Sequence, residues 1–255
     1  VDTSTISVLN FAAENGSPEA LYILGRLYEK GIIYKKNIIL ATSYLLQAYR
    51  LGSYKAGELL NKVVQIEQNI NTVKEKVNKN DPDAIYCWAA LTALGINNNF
   101  ANAQALELLK KAVEKNHIPS LIELGLIYYN GTFVEKNVSK SYELWEKAKS
   151  LGSKEAELRL ILAQLNDNDL IERRTELFNR VKKISEEGSV FAQSILAYCY
   201  EKGLGVRENK ALAVKYYRVA SQRGNQSAYN SLKRIYNEIR PDDEQFKIYD
   251  LKLEN

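Results

Sequence analysis

LGRLYEKG, residues 24–31, returns one hundred residues later as LGLIYYNG at residues 124–131. A Leu-Gly pair, a Tyr and a Gly at one fixed spacing point to an internal repeat, and a repeat decides the fold of the whole chain. Small residues set the period. Ala20, Ala56, Ala84, Ser120, Ala156, Ala192 and Ala228 stand 36 residues apart, except for one step of 28 between Ala56 and Ala84. Four positions before each lies a turn residue: Gly16, Gly52, Asn80, Asn116, Gly152, Gly188 and Gly224. Four positions after each lies a large apolar one: Leu24, Leu60, Trp88, Leu124, Leu160, Leu196 and Leu232. Three columns therefore keep register throughout, and one repeat is short while the others hold phase.

Each unit reads as two helices. In the first unit Ala20, Leu24, Leu27 and Tyr28 share one helical face, Pro18 suits a first turn, and Gly31 ends the helix. The segment GIIYKKN then leads to Asn37, which predicts an N-cap for a second helix carrying Ala41, Tyr44, Leu45 and Ala48 on one face. GTFVEKN ending at Asn137 and GLGVREN ending at Asn209 fill the same place. Further second helices carry Ala105, Leu108, Leu109 and Ala112, then Ser141, Leu144, Trp145 and Ala148, then Ala213, Tyr216, Tyr217 and Ala220. Small residues let paired helices approach while Leu, Tyr and Trp fill the space between them.

Composition narrows the function classes. Of the 255 residues 45% are hydrophobic, enough for a sizeable core. The net charge of +4 is weak and basic residues interleave with acidic ones, which argues against nucleic acid as a partner. No apolar run approaches the ~20 residues of a membrane-spanning helix. Methionine is absent, at position 1 included. The chain is therefore expected to be a processed form or a piece of a longer protein, and the bias toward Lys, Ile, Asn and Tyr points to an AT-rich bacterial genome.

The columns A-x3-L-G-x2-Y-x2-G, then A-x2-Y-x3-A, then a Gly about four residues on, resemble the Sel-1-like repeat, a longer-looped relative of the tetratricopeptide repeat. Leu24-Gly25-Tyr28-Gly31, Leu124-Gly125-Tyr128-Gly131 and Leu196-Ala197-Tyr200-Gly203 carry the likeness, while Asn61 and Ile161 depart from its close-packing Gly. The resemblance implies an all-α, right-handed α-solenoid of about six and a half helix-turn-helix repeats. Its units are 16–51, 52–79 (short), 80–115, 116–151, 152–187 and 188–223. Val8, Leu9 and Ala12 match the second-helix columns, so residues 1–15 read as half of a preceding repeat. Residues 224–255 read as C-terminal capping helices, the last beginning after Pro241.

Little reads as reaction chemistry. His117 is the lone histidine and reads as a solvated turn residue, with no second His or Cys pair to make a metal site. Cys87 and Cys199, three repeats apart on first helices, read as small buried apolar residues. NDND at 166–169 lacks the turn Gly and late Glu of a calcium loop, and reads as a capping turn. No catalytic residue, metal or cofactor is assigned. Cysteine-rich members of the resembled family are associated with β-lactam binding, but the paired disulfides they carry have no counterpart here.

The family's geometry lines the concave wall with the positions one before, and two, six, nine and ten after, the anchor small residue of each first helix. Those positions are polar in the first two units, as at Glu19 and Lys55, and in the last, as at Arg234. In between they become Tyr86, Ala90, Ile122, Leu126, Tyr129, Leu158, Leu162, Phe191 and Tyr198. An apolar patch with a polar rim marks a binding site. Two alternatives stand beside that reading: the leucines of the 152–187 unit turn into the core, or a tightly wound solenoid buries its own inner wall. The expected function is a non-catalytic scaffold or adaptor taking an extended or helical segment of another protein, in a bacterial envelope or secreted, virulence-related setting. The alternatives are a cell-wall or small-molecule binding enzyme and a self-assembling structural element.

Overall fold

The structure, a computed structural model, describes residues 3–96 and 102–239. These residues form helices joined by turns, and the helices alternate between two kinds. First helices are α2 (Pro18–Lys30), α4 (Tyr54–Gln65), α6 (Pro82–Ala93), α8 (Ile118–Asn130), α10 (Lys154–Leu165), α12 (Val190–Lys202) and α14 (Gln226–Ile239). Second helices are α1 (Thr3–Glu14), α3 (Ile38–Arg50), α5 (Glu67–Asn78), α7 (Asn102–Glu114), α9 (Val138–Ser150), α11 (Arg174–Glu186) and α13 (Lys210–Gln222). The chain is an α-solenoid, and the last expected capping helix, beyond Pro241, lies outside the described residues.

The turn column has a conformational cause. Gly16, Gly52, Asn80, Asn116, Gly152, Gly188 and Gly224 all adopt positive φ, from 56° to 98°. That left-handed region is open to Gly and tolerated by Asn, which is why no other residue type stands there. One residue later comes the N-cap of each first helix. Ser17, Ser53, Asp81, Ser153, Ser189 and Asn225 each accept a hydrogen bond from the backbone N–H three positions on, which belongs to the anchor alanine. Such caps contribute about 1 kcal/mol each. His117 replaces the capping side chain before α8.

Packing follows the small-residue columns. At Gly25 a Cβ would stand 2.8 Å from the Leu45 side chain, and at Gly125 one would stand 2.2 Å from the Trp145 indole nitrogen. Each glycine thus lets α2 meet α3, and α8 meet α9, with a large residue between them. The short unit loses its loop rather than a helix: Ile66 alone separates α4 from α5. In the 152–187 unit a 3-10 segment, Asn168–Arg173, joins α10 to α11 and is capped by Asp167.

The array curls until its ends meet. Gln226 donates its backbone N–H to the Gly52 carbonyl at 2.7 Å, and Asn225 donates its side-chain amide to the Leu51 carbonyl at 3.0 Å. Lys154 likewise donates to the Asn15 side chain at 2.7 Å. Inter-repeat turns far apart in sequence are gathered together, with Ser53, Ser189 and Asn225 buried.

Candidate functional site: an apolar groove across four first helices

Curling the solenoid splits the expected wall. Leu126, Tyr129, Leu162, Phe191 and Tyr198 remain partly exposed and line one cavity of about 440 Å³, spanning α8, α10, α12 and α14. The other four expected wall residues are corrected: Tyr86, Ala90, Ile122 and Leu158 are buried, none more than 7% exposed. The causes are those the sequence left open. Tyr86 and Ala90 are absorbed into the core shared with α3 and α4, and Ile122 into that of α8 to α10. Leu158 turns into the core it forms with Ile161, Leu177 and Phe178 of the 152–187 unit.

Aromatic rings dominate the groove. Trp145 of α9 forms its floor, donating its indole N–H to the Ile122 carbonyl at 3.2 Å, with the Tyr129 ring 5.5 Å away. Tyr129 carries Lys136 over its face at 5.4 Å, and its hydroxyl pKa is raised, first by burial and then by Asp167. Across the groove Tyr198 donates to Asn166 at 2.7 Å, and Phe191 lies beneath the Arg159 guanidinium at 5.5 Å. Arg159 is itself held by Glu155 at 2.7 Å. The polar groups thus sit at the margin with partners, leaving an apolar floor free to bury apolar side chains.

The far wall is tied together by one buried carboxylate. Glu201 of α12 accepts from the Tyr217 hydroxyl at 2.8 Å and from Arg234 of α14 at 2.7 Å, with Lys202 also paired to it. Burial pushes its pKa up, but those hydrogen bonds and the Arg234 charge outweigh burial and hold it below the usual carboxylate value. The Tyr217 hydroxyl is shifted up by burial and by Glu201.

His117 is not the solvated turn residue expected. Its ring is largely buried, with Nδ1 2.8 Å from the Ser120 Oγ and Nε2 3.3 Å from Asp83. Ser120 is wholly buried, so this hydrogen-bonded chain braces the start of α8 against α6 rather than facing a ligand. Cys87 and Cys199 are separate buried thiols, and burial raises that of Cys199 to about 12. Among the described residues no group of three or more His, Cys, Asp and Glu is placed to hold a metal ion, and no helix is long and apolar enough to cross a membrane.

Comparison with known proteins matches this geometry to one family. The Sel1 repeat family model matches residues 18–53, 82–117, 118–153 and 190–225. The chain is 27% identical over 134 residues to protein sel-1 homolog 2 of Homo sapiens, covering 51% of this chain and 20% of that protein. It is 26% identical over 200 residues to chitin synthase regulatory factor 3 of Schizosaccharomyces pombe, covering 75% and 18% respectively. The chain thus spans about a fifth of each of these relatives. Among solved structures, a Sel1 repeat protein from Oxalobacter formigenes superposes with a TM-score of 0.54 at 21% identity, covering 90% of this chain and 80% of that one.

Proposed function

The chain belongs to the Sel1 repeat family, whose members are generally protein-interaction scaffolds, and from that premise we propose that it is a non-catalytic adaptor whose α8–α14 groove takes a segment of another protein. One observation carries this reading: Leu126, Tyr129, Leu162, Phe191 and Tyr198 converge, partly exposed, on one cavity. A space of about 440 Å³ suits two or three apolar side chains of one peptide segment, entering as anchors along an extended or helical stretch. Stacked helices supply such surface without a preorganised reactive centre. A bacterial setting belongs to the same proposal, on the Lys, Ile, Asn and Tyr bias of the sequence.

The test is affinity capture from the source organism with the native chain and with a folded Leu126→Glu, Tyr129→Glu variant. The proposal expects a protein retained by the first and lost by the second. Equal capture by both moves the site elsewhere. A second reading, self-assembly, is favoured by α1, where Val8 is 67% and Phe11 61% exposed. Light scattering after size exclusion decides it, since an adaptor of the first kind elutes as a monomer and Val8→Glu leaves its mass unchanged.

A further inference from the structure

We propose that the turn Arg50–Leu51–Gly52 is the positioning element of the groove, one three-residue hub that fixes α8, α10 and α14 relative to one another. The turn ends α3 and lies outside the groove lining. Arg50 reaches α8 through Glu123, with Nε and Nη2 each donating to one carboxylate oxygen, the Nε bond at 3.2 Å. The Arg50 carbonyl accepts from Arg159 of α10 at 3.5 Å. The Leu51 carbonyl accepts from the Asn225 side chain, and the Gly52 carbonyl from the Gln226 N–H at the start of α14. Three of the four first helices that build the groove are therefore held by three consecutive residues.

These contacts are built into buried ground. The Glu123 side chain is 1% exposed and that of Arg50 21%. A forked guanidinium matches a carboxylate with two parallel bonds, which fixes orientation as well as distance. Burial alone would weaken the Arg50 charge, and Glu123 outweighs it. Gly52 leaves room for the Asn225 side chain, since a Cβ there would stand 3.3 Å from its Oδ1. Asn225 departs from the serines at Ser17, Ser53, Ser153 and Ser189: its Oδ1 caps α14 through the Ala228 N–H at 2.8 Å, as theirs cap their helices. Its amide is then free to bind the turn. Arg159 links the hub to the groove directly, because the same guanidinium that reaches the Arg50 carbonyl lies over Phe191. The role assigned to the turn rests on the docking reading for its functional meaning, while the geometry stands without it.

The test measures helix separation in the whole chain. Nitroxides are placed at the exposed positions Asn130→Cys, on α8, and Asn230→Cys, on α14, with Asn130→Cys and Glu146→Cys as a control pair inside one repeat. Cys87 and Cys199 are buried and stay unlabelled. Asn225→Ser keeps the cap and removes the amide bond to Leu51. Arg50→Gln with Glu123→Gln removes the ion pair without leaving a lone buried charge. The native chain is expected to give one narrow α8–α14 distance distribution, and each folded variant a longer and broader one with the control pair unchanged. An α8–α14 distribution unchanged in both variants, with helix content intact, overturns the proposal. If the distribution moves while groove variants leave partner capture intact, the turn positions the groove and the docking reading fails alone.

Discussion

Gly125 and Trp145 show how a single residue sets the groove. Trp145 is both the packing partner of Gly125 and the groove floor, so Gly125→Ala pushes a rigid indole away from α8. The substitution is expected to destabilise the protein by about 1–3 kcal/mol, the usual range for overpacking. It should also shift the tryptophan emission in a Trp88→Phe background, and an unshifted spectrum would place the indole elsewhere. Glu201 makes the second prediction at this scale. Its folded pKa lies below the unfolded value of 4.5, so its contribution to stability is complete above 4.5 and is lost as pH falls through the folded value. Glu201→Gln should flatten the fall of the urea midpoint below about pH 4.5 while changing its slope little near neutrality. Gly125 was legible, since it stands out in LGLIYYNG, whereas the ring of partners around Glu201 joins α12, α13 and α14 and leaves no local signal.

At the scale of the element, helices were legible because each carries a face of small and large residues at helical spacing, anchored by turn residues that need positive φ. The serine caps were missed, although Ser17, Ser53, Ser153 and Ser189 stand in one column three before the anchor alanines. Their worth is measurable: Ser189→Ala removes a buried acceptor from the Ala192 N–H and is expected to cost about 1 kcal/mol in chemical unfolding, with helix content nearly unchanged. A loss well under that figure would mean that water replaces the cap. Exposure along the wall was only half legible. Spacing assigns Tyr86, Ile122 and Leu126 to one face alike, but what covers that face depends on how far the array curls, and the pairs that set the curl, Arg50 with Glu123 and Leu51 with Asn225, are far apart in sequence.

For the whole molecule the curl changes the energetics. Repeat arrays are ordinarily held by nearest-neighbour interfaces and unfold from their ends. Here Asn15 meets Lys154, Arg50 meets Glu123, and Gly52 meets Gln226, so unfolding either end breaks contacts with a distant repeat. Thermal unfolding is accordingly expected to be one transition, with helix content and tryptophan fluorescence falling together; an early fluorescence-silent loss of helix would show the ends melting alone. The same curl leaves the apolar cavity open across α8–α14, which is where a partner is proposed to bind. The most direct measurement puts a photo-cross-linking phenylalanine in place of Tyr198, with one in place of the exposed Glu107 of α7 as control, in the source organism. A scaffold that docks its partner in the groove yields adducts from position 198 to one defined segment of another protein, and none from position 107. Adducts from position 107 alone would contradict it.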